Sequence, residues 1–352
     1  MTTIYDHDVA DPIFTAKLSP PDYLTTSAEN PYSFRNLFRI RGNKLGIPSP
    51  TRPLEPTDPG ESIFLASPTG ANILEDHDVV LAGSAYSSFD TALHAGRRWR
   101  QIMQSTFARE GISCEFGDDD DANLSPSRVR LAHTTGLFDL RPTDTVYEDR
   151  IGLLVFRAHP VPRFIFTYGG TPMVSKSPPS SDLISTARER DSGDWPDELR
   201  LAYKLVHSAL SDANPETRFI LMVTAAEALI PYRKKGSHLT QMLEALRPIA
   251  EDMQTFDDDT REVVDGLLQS AQYDSIRKYR MMLAERLTGE YGGTTAKKYF
   301  DGIYATRSEL AHGNLRENLS EDDLRERFSE LNRFVLDILE DWATNPSFGD
   351  EA

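Results

Sequence analysis

The chain has a single cysteine, Cys114. It can form no intrachain disulfide, which suits a reducing compartment. No run of about 18 apolar residues occurs, so no membrane-spanning helix is expected. The opening MTTIYDHDVADPIF has neither the basic nor the apolar region of a secretory signal. A cytoplasmic location is therefore expected. Also missing are the phosphate loop GxxxxGK, a strand-linked GxGxxG, the zinc motif HExxH and the serine elbow GxSxG. With one cysteine there is no CxxC zinc site. These absences leave no motif that calls for a cofactor or a metal.

What is present is ordinary globular composition, with 352 residues, 39% hydrophobic and 26% charged. That length suggests two domains. The formal net charge is -17, spread over both halves: 19 basic and 26 acidic residues in 1–194, 19 and 27 in 195–345. Neither half is a basic nucleic-acid module, and global acidity argues against tight nonspecific duplex binding. Three short basic clusters could still form a local patch: RRWR at 97–100, RKK at 233–235 and RKYR at 277–280. Each alone reads more simply as solvated helix or loop charge. The aspartate run Asp118–Asp121 reads as an exposed acidic loop. Four consecutive side chains in an extended chain alternate sides and cannot all face one cation.

Residues 1–170 read as an α+β domain. Prolines crowd the first 70 residues, and 45–62 is expected to be an extended loop. DVVLAGSAY (78–86) begins like a strand, and 87–111 is an amphipathic helix closed by Gly111. Residues 112–117 are a short strand candidate. Residues 150–161 and 163–170 are two further strands, paired with each other or separate. Residues 171–194, rich in proline, serine and charge, read as a linker.

Residues 195–345 read as an all-α helical bundle of six helices: 195–212, 216–232, 238–252, 260–287, 296–312 and 321–342. The second is apolar nearly all round, and so is expected to be central and buried, ending at Pro231. Ser320 with Asp323 gives the start of the last a capping box. Glu227 falls within FILMVTAAEALI, where a buried carboxylate needs a partner. Either it bonds a structural arginine or backbone group, or it orients an active-site arginine.

The fifth helix ends YATRSELAHGN (304–314), which contains Arg307-x4-His312. On a regular helix five residues turn by about 500°, leaving the two side chains about 140° apart. They can meet if the helix ends between them, or across a symmetric interface.

TRSELAHG in the penultimate helix, preceded by an AAEALI helix with Arg218 nine residues before Glu227, resembles the Apea-like branch of the HEPN superfamily over about 195–345. Serine at 308 departs from the Asn, Asp or His common after that arginine. The resemblance implies a homodimer formed through the bundle and a metal-independent endoribonuclease of toxin or anti-phage type. His312 would be the general acid/base, Arg307 would stabilise the transition state, Ser308 would be a secondary polar contact and Glu227 an orienting residue. The substrate would be RNA, with tRNA a reasonable example, and Arg233, Lys234 and Lys235 could lie at the cleft rim. The N-terminal domain would then meet a trigger or an inhibitor. The alternative within the resemblance is a noncatalytic module that dimerises and binds RNA, a nucleotide or a protein.

Overall fold

The computed structural model describes residues 17–19, 27–42, 44–56, 60–117, 145–159, 162–166, 187–191, 193–231, 235–251, 257–271, 275–312 and 320–345. The chain divides into two compact units, Met1–Asp194 and Trp195–Ala352. The first contains sheet and the second is mostly helical, the broad division expected from sequence.

The strands of the first unit are β1 (Lys17–Ser19), β2 (Tyr32–Arg41), β3 (Thr51–Leu54), β4 (Ser62–Ala66) and β5 (Asp78–Tyr86). Helix α1 (Phe89–Arg109) follows, then β6 (Ser113–Glu115), β7 (Val146–Asp149), β8 (Gly152–Arg157) and β9 (Arg163–Phe166). The main sheet runs β3-β4-β5-β2-β6, and β8 also pairs with β2. β8 takes the Tyr32–Asn36 end and β6 the Arg39–Arg41 end, both antiparallel. β5 shows why the sequence is so apolar here. Val79 and Leu81 join the large core that includes Trp99 and Phe107 of α1, while Val80 and Ala82 join a second cluster with Leu37 and Ala66. A strand buried on both faces has no polar alternation.

Two expectations for this unit need correction, and one open choice is decided. The 45–62 segment is not all loop, because it contains β3 with Pro53. β3 is an edge strand, where a residue without an N–H loses no ladder bond. The strands in 150–161 and 163–170 do not pair with each other. β8 joins the main sheet, and β9 lies between β1 and β7 in a separate three-stranded sheet. The described end of the 171–194 linker is packed: Ala187 belongs to the core, and Asp191 accepts a hydrogen bond from Arg98 Nε at 2.8 Å. The Asp118–Asp121 run lies outside the described residues.

The second unit contains α2 (Asp197–Ser211), α3 (Pro215–Glu227), α4 (Ser237–Glu251), α5 (Asp258–Ala271) and α6 (Ile276–Glu285). A two-residue hairpin, β10 (Glu290–Tyr291) and β11 (Thr294–Thr295), leads to α7 (Ala296–Ala311) and α8 (Glu321–Thr344). Gly292 and Gly293, with φ of 54° and 70°, supply the left-handed turn that such a hairpin requires. The single helix expected over 260–287 is two helices. Ser275 caps the second by accepting the Lys278 N–H at 3.2 Å. Helix α3 is central as expected, packed against α2, α7 and α8. It stops at Glu227, four residues before Pro231. The Ser320–Asp323 capping box forms, and α8 buries Leu331, Phe334, Val335, Ile338 and Leu339. Among the described residues no helix is long and apolar enough to cross a membrane.

Candidate functional site

Helix α3 starts where Asn214 Oδ1 accepts the Thr217 N–H at 2.8 Å, with Pro215 in the first turn. Thirteen residues later it delivers Glu227 at its last helical position. A carboxylate there faces the negative end of the helix dipole and needs a cation nearby. That cation is Arg307 of α7, whose Nη2 lies 3.4 Å from Glu227 Oε2. The side chains are 29% and 16% exposed, so the pair is mostly shielded from water. It is an ion pair without a hydrogen bond, and Arg307 Nε is buried with no hydrogen-bond partner among the described residues. Burial pushes the Glu227 carboxyl above its usual range, and the charges of Arg307 and Arg280 pull the other way.

Arg280 stands out from sequence only as one residue of the RKYR cluster, yet it belongs to this group. It projects from α6 with its side chain 6% exposed. Its Cζ lies 3.5 Å from the centroid of the Tyr304 ring, and its Nη2 is 3.6 Å from Asp301 Oδ1. Arg277 Nη2 donates to the other Asp301 oxygen at 3.1 Å. Arg280 Nε and Nη1 are buried with no hydrogen-bond partner among the described residues. Donors left in that state cost about 1–3 kcal/mol each. The cluster therefore sets three guanidiniums against two carboxylates. The signal in the sequence is periodicity: Arg280 shares the buried stripe of α6 with Tyr279, Leu283 and Ala284. A charge on an apolar stripe marks a residue held for its charge.

The remaining predicted residues are more dispersed. The helix does not end between Arg307 and His312, as meeting on one face would require. It runs through Ala311, and His312 is the exposed C-cap residue with φ -95° and ψ 3°. The His312 N–H donates to the Ser308 carbonyl at 3.1 Å, but no side-chain contact joins His312 to Arg307 among the described residues. Ser308 is half-buried beside Arg307 in sequence. Lys235 is half-buried, its carbonyl accepting the Thr240 hydroxyl at 3.1 Å. Nothing among the described residues ties it to Glu227. Arg233 and Lys234 lie outside the described residues. Arg218 packs its guanidinium 3.8 Å from the Phe328 ring centroid, a core contact with α8.

The RRWR cluster is no surface patch. Trp99 is buried, Arg98 is bound to Asp191, and Arg100 donates to the Gly117 carbonyl. Near it the first unit has a cavity of about 640 Å³, which nothing in the sequence announced. Glu61 lines it, accepting from Tyr86 Oη at 3.3 Å and Trp99 Nε1 at 3.4 Å. Ala85, on its wall, has φ 72°. Among the described residues no group of three or more His, Cys, Asp or Glu side chains is arranged to hold a metal ion. Comparison with protein-family models, curated proteins and solved structures finds no match to this chain.

Proposed function

We propose that the second unit is a metal-independent endoribonuclease of the HEPN kind, acting as a homodimer. One observation carries the reading: Glu227 and Arg307, singled out from sequence 80 positions apart, form an ion pair across α3 and α7. RNA supplies its own nucleophile, the 2′-hydroxyl. Catalysis then needs a proton carrier effective near neutral pH and a cation matched to the phosphorane oxygens. In this reading Arg307, aimed by Glu227, meets the phosphoryl oxygens, and its planar fork fits two of them. His312 moves the proton, and Ser308 adds a polar contact. Because His312 stands apart from Arg307 within one chain, the dimer brings the arginine of one copy to the histidine of the other. Products are a 2′,3′-cyclic phosphate and a 5′-hydroxyl. Defence or toxin action, with a trigger acting on the first unit, belongs to the same reading.

A second reading, a noncatalytic module that dimerises and binds RNA, a nucleotide or a protein, is favoured by Ser308 and by the exposed His312. End-labelled total tRNA incubated with the protein in EDTA separates the two. Cleavage by wild type, absent in His312→Ala and Arg307→Ala and ending in cyclic phosphate, is the expected result. Binding of the same RNA without cleavage supports the module, and equal cleavage by all three proteins removes the site altogether.

A further inference from the structure

We propose that the cavity of the first unit is a binding site for a small organic amine, with the Glu61 carboxylate as the anchor for its ammonium group. The proposal is independent of the nuclease reading of the second unit.

Three observations carry it. The first is how the cavity is made. It lies between the end of β5 and the face of α1 that carries Asp90, His94 and Arg98. β5 has an extra residue at that end, where Ala85 takes φ 72°. Such bulges bend a strand and recur beside binding sites. The volume, about 640 Å³, lies in the range of small-molecule sites. The second is Glu61. Its carboxylate accepts from Tyr86 Oη at 3.3 Å and from Trp99 Nε1 at 3.4 Å. Tyr86 and Trp99 are both buried, so the carboxylate is anchored at the inner end of the cavity. Both donors are neutral, and both distances are long for bonds to a carboxylate. An ammonium offers it three donors and a full charge. Tyr86 also lines the cavity, and a tyrosine ring attracts a cation. The third is the charge of the lining. Both of its basic side chains face carboxylates: Arg98 Nε donates to Asp191 at 2.8 Å, and His94 Nδ1 lies 3.6 Å from Asp194 Oδ2. Glu61 and Asp90 are the acids of the lining itself. The balance of these groups is negative, which repels a phosphate or carboxylate ligand and attracts a cation.

The test is isothermal titration calorimetry of the full chain at neutral pH and constant ionic strength. The probes are putrescine, the diol with hydroxyls in place of both its amines, and succinate. All three share a four-carbon chain, so only the end groups differ. Saturable binding of putrescine, with no binding of the diol or of succinate, is expected. Glu61→Gln should weaken putrescine binding by about tenfold or more, through loss of one charge-assisted contact. Asp90→Asn, a change at an exposed position, should weaken it several-fold. Glu321→Gln, at an exposed acid of α8, should leave it unchanged. Absence of putrescine binding overturns the proposal. Equal binding of the diol also overturns it, because the cavity then selects shape and not charge, and so does binding of succinate. Putrescine binding that survives both Glu61→Gln and Asp90→Asn overturns it too, because the amine then gathers elsewhere on an acidic surface.

Discussion

Glu227 ends one helix and Arg307 lies in another, and Arg307 Nη2 comes within 3.4 Å of Glu227 Oε2 in a largely buried setting. The attraction is opposed by desolvation of both groups, so a pair of this kind does not guarantee stability. The carboxyl records the balance, since burial outweighs the two arginines and its pKa is raised. A carboxyl that holds its proton more tightly folded than unfolded contributes stability at low pH. That contribution is lost as pH rises through the raised value.

The first prediction follows from that sign. Glutamine at 227 has no proton to lose. As pH rises from about 4 through the raised value, wild type should lose stability relative to Glu227→Gln. Urea unfolding of both proteins at several pH values measures the difference directly. Parallel curves, or a wild type that gains on the variant with rising pH, contradict the burial argument.

The second prediction concerns the strand end beside the cavity. Between Tyr32↔Tyr86 and Phe34↔Gly83 the register of β2 and β5 shifts, leaving an extra residue on β5, where Ala85 takes φ 72°. A left-handed conformation costs an alanine about 1–2 kcal/mol, and glycine avoids most of that while losing more chain entropy on folding. Ala85→Gly should therefore stabilise the first unit by about 0.5–1 kcal/mol. Two residues earlier the opposite holds. A Cβ on Gly83 would overlap the Phe34 ring and lie 2.8 Å from Tyr86 Oη. Gly83→Ala should destabilise by about 1–3 kcal/mol, the usual cost of overpacking. Thermal unfolding of the two variants should move in opposite directions.

These sites also show what was legible in the sequence. Helices with clean stripes were readable: α1 falls within the expected 87–111, and Ser320 before α8 forms the expected capping box. The break between α5 and α6 was not, because the apolar pattern resumes after a cap made by a lone serine, Ser275. β3 was hidden by Pro53, which tells of an edge strand only when the neighbours are known. At the candidate site, Glu227 was recognisable as a carboxylate in an apolar run, and its partner came from the R-x4-H pattern. Arg280 was hidden because a basic cluster looks like surface until one member is placed on a buried stripe. The cavity around Glu61 draws on residues far apart in sequence, and no local pattern carries that information.

The last prediction tests the difference between an apolar stripe and a core. Leu239, Met242, Leu246 and Ile249 recur at helical spacing on α4, and Val263 and Leu267 on α5, as core faces do. The two helices pack on each other, yet Met242 is 63% exposed, and Val263 and Leu267 are each 62% exposed. Periodicity alone cannot distinguish these positions from Leu331 of α8, which is fully buried at 0% exposure. Energetics can. A side chain that remains in water gains little from folding, so Met242→Lys and Leu267→Lys should each change stability by no more than about 0.5 kcal/mol. Truncating a side chain from a packed interior loses its transfer free energy and leaves a cavity, so Leu331→Ala should cost about 2–5 kcal/mol. Denaturant unfolding followed by far-ultraviolet circular dichroism gives all three values. A large loss from Met242→Lys or Leu267→Lys would mean that the stripe is covered in the folded protein in solution.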